Sequence, residues 1–116
     1  PGDFHMGVEA RGAHLFIQLE QSAPVNGHRP AVDKTFESVS MLKNYETLAI
    51  IMTGMGSDGT KGLIALKNRG HVRAIAEAEE SCIVYGMPRS AIAAKVVDEV
   101  LPLEKIAEAI MKFISD

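Results

Sequence analysis

A glycine-rich run with a single acid is the stretch of this sequence best suited to hold a reacting group. It covers residues 53–59, TGMGSDG, and Asp58 is its only ionisable side chain. The glycines at positions 54, 56 and 59 let the backbone turn sharply and approach a ligand, because glycine tolerates positive φ angles. If a helix begins just after the run, its dipole favours the ionised form of Asp58. We therefore expect any functional site of the chain at this turn.

The spacing of the glycines has two interpretations. Gly54-x-Gly56-x-x-Gly59 matches the fingerprint of dinucleotide-binding folds, in which the glycines form a turn between a strand and a helix. Glu77 follows at about the distance at which such folds carry an acid that binds the ribose. The alternative is a tight turn whose glycines serve only the backbone geometry. The spacing alone leaves both interpretations open.

An aspartate at the end of a strand also suits acyl-transfer chemistry, in which it orients a histidine that activates a serine. Ser57 is a poor nucleophile, since a nucleophile elbow needs a glycine two residues before the serine and Met55 stands there. Ser81 lacks such an elbow as well. We expect His5 and His28 to make structural hydrogen bonds, and the histidines at positions 14 and 71 to lie on the surface. These 116 residues therefore contain no complete catalytic triad.

The sequence carries no recognised metal-binding motif. It has no HExxH, no pair of cysteines and no two histidines four residues apart, so we expect neither a metal nor a cofactor. Cys82 has apolar neighbours, which favours a small buried side chain over a reactive thiol. The acids at positions 77, 79 and 80 are interpreted as a solvated loop, from which one could still line the site.

Composition limits the classes of protein to consider. With 116 residues, of which 47% are apolar, the chain is one domain or a large part of one and can bury a core. A net charge of −3 gives no basic surface for nucleic acid. The single cysteine suits a reducing, cytoplasmic compartment. No apolar run is long enough to span a membrane, and no secretory signal is present, so we expect no membrane insertion. The chain starts at Pro1 without a methionine, and we expect a fragment.

Alternating apolar residues and turn residues predict an α/β fold. A hairpin is predicted over residues 5–21, with Leu15, Ile17 and Leu19 on the half-buried face of its second strand. A loop then leads to an amphipathic helix over 31–43. The apolar run 48–52 predicts a buried parallel strand. The later predictions are a helix from 60 to about 68, a strand at 72–76, a helix over 86–94, a short strand or turn at 96–101, and an amphipathic closing helix from Leu103. The order predicts a mostly parallel, doubly wound sheet with helices on both faces, plus the hairpin.

Five short strings resemble the catalytic domain of the bacterial chemotaxis protein-glutamate methylesterase (CheB-like) family. They are PGDFHM (1–6), PVNGHRPAVD (24–33), TGMGSDGTKGL (53–63), ESCIVYGMPRSAI (80–92) and VDEVLPLEKIA (97–107). They occur in the order of that family and cover nearly the whole chain. The resemblance implies that residues 1–116 form the C-terminal part of the catalytic domain, and that this domain is incomplete here. Because these strings are specific when taken together, the resemblance outweighs the isolated glycine motif.

The resemblance implies an esterase that uses a Ser-His-Asp triad. Asp58 is the residue that matches the aspartate of the triad, and Met55 and Gly56 are the residues expected to meet the substrate. The implied substrate is a γ-glutamyl methyl ester on the cytoplasmic region of a methyl-accepting chemoreceptor. Many members also deamidate receptor glutamines, and no cofactor is implied. The alternatives are a non-catalytic binding module and a nucleotide-binding α/β module that uses the same glycine turn.

Several features depart from the family pattern. The serine and histidine motifs of the family lie upstream of PGDFHM and are not in this sequence; His5 belongs to a different string and does not match the base. The receiver domain that commonly precedes the catalytic domain in this family is likewise not among these 116 residues. Family members often carry glutamine where Glu77 stands, which bears on substrate preference. We therefore expect this chain alone to be inactive, and to expose an apolar sheet edge where further β-α units would pack.

Overall fold

The computed structural model describes residues 1–116 as a sequence of β and α elements. In chain order these are β1 (His5–Arg11), β2 (His14–Glu20), α1 (Val32–Ser40), β3 (Thr47–Ile51), α2 (Thr60–Arg69), β4 (Val72–Glu77), α3 (Gly86–Ala93), β5 (Glu99–Leu101) and α4 (Leu103–Ser115), with a single 3₁₀ turn at Glu79–Ser81. None of the four helices has the length and apolarity needed to cross a membrane. The predicted α/β class and the order of its elements are confirmed.

A three-stranded parallel sheet forms the centre of the molecule. Its strand order is β3-β4-β5, so β4 is central and β3 lies at an edge. Ala49 is paired with Ala74, and Ile75 with Glu99. Parallel strands are connected by helices, which can cover both faces of the sheet. The middle strand, β4, is accordingly buried over its last four residues. All three strands therefore end at the same edge as the glycine turn.

One face of the sheet carries the hydrophobic core. Helices α2 and α3 pack on it, and α1 packs on α2. Six buried residues form the core cluster: Ala49, Ile51, Leu63, Leu66, Ala74 and Ala91. Their small and aliphatic side chains allow the helices to lie close to the strands. Asp58 lies two residues before the first residue of α2, so the packing of α2 on this face helps to place it.

Helix α4 lies over the other face, as the prediction of helices on both faces requires. A groove of about 660 Å³ separates it from the sheet, lined among others by Leu48, Ile75 and Phe113. Only Ile106 of this helix is buried. The strong amphipathic pattern of α4 is therefore only partly used within these 116 residues.

The hairpin packs on α1 through polar contacts. The Ser38 hydroxyl accepts a hydrogen bond from the Val8 N–H at 2.9 Å, and the Thr35 hydroxyl donates to the Met6 carbonyl at 2.6 Å. The prediction that the second strand is half-buried is wrong for this chain, because its apolar side chains are exposed, Ile17 by 69%. Alternation in sequence shows that a strand has an apolar face, but not whether anything within the chain covers it.

Element boundaries differ slightly from the sequence prediction. Helix α1 covers Val32–Ser40 and is shorter than the predicted 31–43, since Met41 and Leu42 close its last turn with i,i+3 hydrogen bonds. The central strand is Thr47–Ile51, one residue earlier than predicted. Residues 82–85 form no regular element, and Ile83 and Val84 make backbone hydrogen bonds to Thr53 and Gly54 instead.

An ion pair fastens the end of α2 to the sheet. Asp98 accepts hydrogen bonds from the Lys67 ammonium at 2.5 Å and from the Ala74 N–H at 2.7 Å. Burial raises the pKa of Asp98, but the two hydrogen bonds and the charges of Lys67 and Arg73 outweigh it, so its pKa lies below the ordinary value. This contact is made at the start of β4, away from the glycine turn.

Candidate active site

The glycine turn follows the carboxyl end of β3 and leads directly into α2. Gly56 has a φ of 87° and Gly59 a φ of 100°, angles that residues with a Cβ rarely adopt. Gly59 is also the cap residue of α2. In open α/β sheets, ligands bind outside the carboxyl ends of the strands, which is where this turn lies.

Asp58 is buried at the centre of the turn, with 7% of its surface exposed. Its Oδ2 accepts a hydrogen bond from the Val32 N–H at 2.7 Å. Its Oδ1 accepts one from the Asp33 N–H at 2.9 Å and one from the Asn26 side-chain amide at 3.2 Å. An ionised carboxylate offers about four acceptor positions, two on each oxygen. The three donors therefore leave one position free, and it is on Oδ2.

The helix that stabilises Asp58 is not the one that the sequence indicated. The sequence placed Asp58 at the start of the helix that follows it, α2. In the structure its carboxylate instead accepts the first N–H groups of α1, at Val32 and Asp33. These N–H groups have no partner within their own helix and form the positive end of its dipole. The helix start that contacts the Asp58 carboxylate is thus that of α1 and not that of α2.

Asp33 is a second buried carboxylate at this place, and sequence reasoning missed it. Its Oδ1 accepts hydrogen bonds from the N–H groups of Gly59 at 2.9 Å and Gly62 at 2.8 Å. Its Oδ2 accepts from the Asn26 amide at 2.7 Å. One signal was available in the sequence: Asp33 lies three residues before Phe36 and therefore on the inner face of a helix, where an acid needs a partner.

The residues expected to meet the substrate lie on the open side of the turn. Met55 is 79% exposed, and Gly56 is exposed beside it. The Gly54 N–H donates to the Val84 carbonyl, and the Met87 N–H donates to the Gly54 carbonyl, each at 2.9 Å. These two bonds hold the backbone of the turn against the segment that leads into α3.

Thr53 joins three parts of the chain at the base of the turn. Its hydroxyl accepts hydrogen bonds from the N–H groups of Val84 at 2.8 Å and Ile83 at 3.1 Å. Its N–H donates to Glu77 Oε1 at 2.9 Å. Ile83 itself points outward and is 91% exposed. Hydrogen bonds to Glu77 and to residues 83–84 therefore fix the base of the turn, while Met55 and Ile83 face solvent.

Glu77 does not lie in a solvated loop, and that interpretation is wrong for this residue. It ends β4 and is 1% exposed, with Oε1 bonded to Thr53 and Oε2 accepting from the Ser81 hydroxyl at 2.8 Å. Glu79 and Glu80 are exposed as expected. Because both oxygens of Glu77 have partners inside the chain, its carboxylate is not presented to a ribose. This arrangement disfavours the dinucleotide interpretation of the glycine spacing.

The remaining candidate side chains do not join Asp58. The His5 ring is fully buried in β1, with Nε2 bonded to the Ala23 carbonyl at 3.0 Å. The other three histidines are exposed, and no histidine bonds to Asp58. Ser81 is occupied by Glu77 and by the Leu103 N–H. Burial, together with the nearby charge of Glu77, raises the pKa of the Cys82 thiol, which argues against a reactive role for this half-buried residue.

Comparison with known proteins identifies the family. The family model described as CheB methylesterase matches residues 1–110. The chain belongs to the CheB methylesterase family. It is 50% identical over 116 residues to a protein-glutamate methylesterase/protein-glutamine glutaminase of Geobacillus kaustophilus, covering 100% of this chain and 33% of the relative. A Pseudomonas aeruginosa protein of the same name, numbered 2, is 46% identical over 112 residues, covering 97% of this chain and 32% of the relative.

A solved structure agrees with the fold. The crystal structure of the Thermotoga maritima CheB methylesterase catalytic domain matches with a TM-score of 0.92 and 42% identity, covering 97% of this chain and 59% of that chain. The chain therefore spans about a third of the length of the curated relatives and somewhat more than half of the solved catalytic domain. The resemblance inferred from the five sequence strings is confirmed.

Proposed function

We propose that this chain is the part of a protein-glutamate methylesterase that supplies the aspartate of its Ser-His-Asp triad, Asp58. One observation carries the proposal: a buried carboxylate at the carboxyl edge of the sheet, fixed by three N–H donors, keeps a single acceptor position free. An orienting aspartate in a triad needs this arrangement, since it must hold one imidazole N–H without moving. The free position on Oδ2 is where that N–H would be accepted.

The serine and the histidine would come from residues outside this chain. The serine attacks the ester carbonyl while the histidine takes its proton, and methanol leaves from the tetrahedral intermediate when the histidine returns the proton. Water then hydrolyses the acyl-enzyme to free glutamate, with the histidine again acting as base. Asp58 keeps the histidine in the correct tautomer and stabilises its protonated form. For a glutamine side chain, ammonia replaces methanol as the leaving group.

Met55 and Gly56 are proposed to form the substrate side of the site. Their backbone is exposed at the top of the turn, and the bonds of Gly54 to Val84 and Met87 hold it in place. The Met55 N–H, which makes no backbone hydrogen bond within the chain, is the proposed donor to the oxyanion of the intermediate. The exposed Met55 side chain would contact the apolar part of the substrate.

The names of the relatives suggest the biological context. We infer that the parent protein acts in the cytoplasm on methylated glutamates, and on selected glutamines, of chemoreceptor cytoplasmic regions during chemotaxis adaptation. A receiver domain preceding the catalytic domain is the inferred regulatory partner. Neither nucleic acid nor a membrane-inserted segment is part of the proposal.

A chimaera tests this function. In it, this chain replaces the matching residues of the Thermotoga maritima catalytic domain, whose structure it shares with a TM-score of 0.92. We expect the chimaera to release methanol from a methylated chemoreceptor fragment. Asp58→Asn should lower kcat by about 10⁴, as the comparable change does in serine proteases through the wrong histidine tautomer. Asp116→Asn, at the exposed end of α4, is the matched control.

The outcomes separate the proposal from its alternatives. A folded chimaera that binds the receptor fragment without ester hydrolysis would favour a non-catalytic module. Wild-type turnover in Asp58→Asn would remove Asp58 from the mechanism. A saturable thermal shift with NAD, in the absence of esterase activity, would favour the nucleotide-binding alternative.

A further inference from the structure

Asp33 makes hydrogen bonds that do not serve its own helix. It is the second residue of α1, and its side chain is 1% exposed. Its Oδ1 accepts from the N–H groups of Gly59 and Gly62, which belong to the start of α2. No residue of α2 provides a side-chain cap for that helix. Asp33 therefore acts as the cap of a helix 26 residues later in the chain.

The relation between Asp33 and Asp58 is reciprocal. Asp58 accepts the first N–H groups of α1, including that of Asp33, and Asp33 accepts the first N–H groups of α2. Asp58, which precedes α2, thus fixes the start of α1, and Asp33, which lies in α1, fixes the start of α2. The exposed Asn26 lies across the pair, with its amide donating to both carboxylates.

We propose that Asp33 is a positioning residue for Asp58 in hydrolysis of the ester. The inference rests on the proposed function, and it assigns a role to a side chain that would touch neither substrate nor the reacting atoms. Gly59 directly follows Asp58, so the bond from its N–H to Asp33 fixes the backbone next to the catalytic carboxylate. The Asp33 N–H fixes Oδ1 of Asp58, and together these bonds set the direction of the free acceptor position on Oδ2.

Losing the Asp33 carboxylate would leave the N–H groups of Gly59 and Gly62 without their acceptor. The Gly59 peptide could then rotate, and Oδ2 of Asp58 would no longer point at a fixed imidazole. Misplacement of a catalytic group by about 1 Å can cost about 100-fold in rate. Asp33→Ala should therefore lower kcat by about 10- to 100-fold, with little change in KM.

A conservative variant distinguishes the acceptor from the charge. Asparagine at position 33 keeps an oxygen that accepts from Gly59 and Gly62. Its amide would oppose that of Asn26, which is exposed and can turn toward water; Asp58 would then lose the longest of its three hydrogen bonds, at 3.2 Å, and keep the two from the backbone of α1. Asp33→Asn should therefore keep kcat within about threefold of wild type, because the two backbone bonds that place Asp58 remain.

A purely structural role for Asp33 makes a different prediction, and a double-mutant cycle separates the two. If Asp33 only stabilises the fold, Asp33→Ala lowers activity by the same factor whether or not Asp58 is intact. If it acts through Asp58, the change should lower kcat by less than about twofold in an Asp58→Asn background. Asp98→Ala is the control, since it removes a structural hydrogen-bonded carboxylate at the opposite end of β4.

The experiment measures kcat and KM for methanol release by the folded chimaera and its variants, with circular dichroism giving the folded fraction. The inference is supported if Asp33→Ala lowers kcat only when Asp58 is intact. Asp33→Asn and Asp98→Ala must also retain kcat per folded molecule. Wild-type kcat in Asp33→Ala, or an equal loss in the Asp58→Asn background, would overturn it while leaving the esterase proposal intact. A folded wild-type chimaera without ester hydrolysis would overturn both. If Asp33→Ala does not fold, Asp33→Leu takes its place in the cycle with the same expected coupling, because leucine is close to aspartate in shape and accepts no hydrogen bond.

Discussion

Substitution of Gly62 by alanine tests how closely α1 and α2 are packed beneath the aspartate pair. A Cβ built at Gly62 would lie 2.5 Å from the Cβ of Phe36 and 3.1 Å from the carbonyl oxygen of Asp33. Carbon atoms attract one another best at about 3.5–4.0 Å. Neither neighbouring atom can rotate away, because one is a Cβ and the other belongs to the backbone. The helices would have to separate.

Two effects of opposite sign determine the size of the change. Replacing glycine by alanine inside a helix normally stabilises a protein by about 0.5–1 kcal/mol. Overpacking of a close contact costs about 1–3 kcal/mol, and a clash with backbone atoms belongs in the upper half of that range. We therefore expect Gly62→Ala to lower the free energy of unfolding by about 1–2.5 kcal/mol. With a urea m-value of about 2 kcal/mol/M, the midpoint should fall by about 0.5–1.2 M.

The assay is urea unfolding of the chimaera followed by circular dichroism. The pair Lys61→Gly and Lys61→Ala is the matched control, since Lys61 is exposed and lies in the same turn of α2. Alanine should be the more stable member of that pair, which isolates helix propensity from packing. A midpoint for Gly62→Ala at or above wild type would refute the reasoning, because it would show that α1 and α2 can separate at no cost.

Two further predictions concern carboxylates away from the reaction. Glu77→Gln should leave the urea midpoint nearly unchanged, because glutamine can accept from the Thr53 N–H and donate to the Ser81 hydroxyl. Glu77→Ala should lower the free energy of unfolding by about 1–3 kcal/mol, because the Thr53 N–H loses its acceptor. Equal stability of the two variants would contradict this. The pKa of Asp98 is lowered in the folded protein, so its contribution to stability is present above about pH 4 and is lost as the pH falls through the folded-state pKa. Asp98→Asn should therefore unfold at lower urea than wild type at pH 7 and lose less stability between pH 5 and pH 2, whereas parallel pH profiles would argue against the lowered pKa.

Sequence alone could predict the central strand, the glycine turn and the following helix because their signals are local. A short run of aliphatic residues, glycines at fixed intervals and Gly70, which caps the end of α2, each act within a few residues. The second strand of the hairpin shows the limit of this reasoning. Leu15, Ile17 and Leu19 alternate correctly, yet their burial depends on what lies opposite, and nothing in this chain does. The local sequence pattern therefore predicts that a strand forms more readily than it predicts what packs against that strand.

The site divides in the same way. A local motif predicts Asp58, Met55 and Gly56 as site residues, and their roles stay a prediction. The role of Asp33 depends on the crossing of α1 and α2, which brings residue 33 to residues 59 and 62. The carboxylate of Glu77 is likewise turned inward by Thr53 and Ser81, contacts that no spacing in the sequence predicts. Long-range contacts decide which of several acids is exposed to a ligand.

The two buried aspartates also explain why the fold and the proposed chemistry are connected. Burying a carboxylate costs several kcal/mol unless it is hydrogen-bonded, and here two lie close together. Every hydrogen-bond partner of either one is an N–H donor, four of them from the starts of α1 and α2. Such charge-assisted bonds are the partners that an ionised carboxylate needs. The contact that joins the two helices is therefore also the contact that would hold Asp58 ready for a histidine, so changes that loosen this contact should lower stability and kcat together.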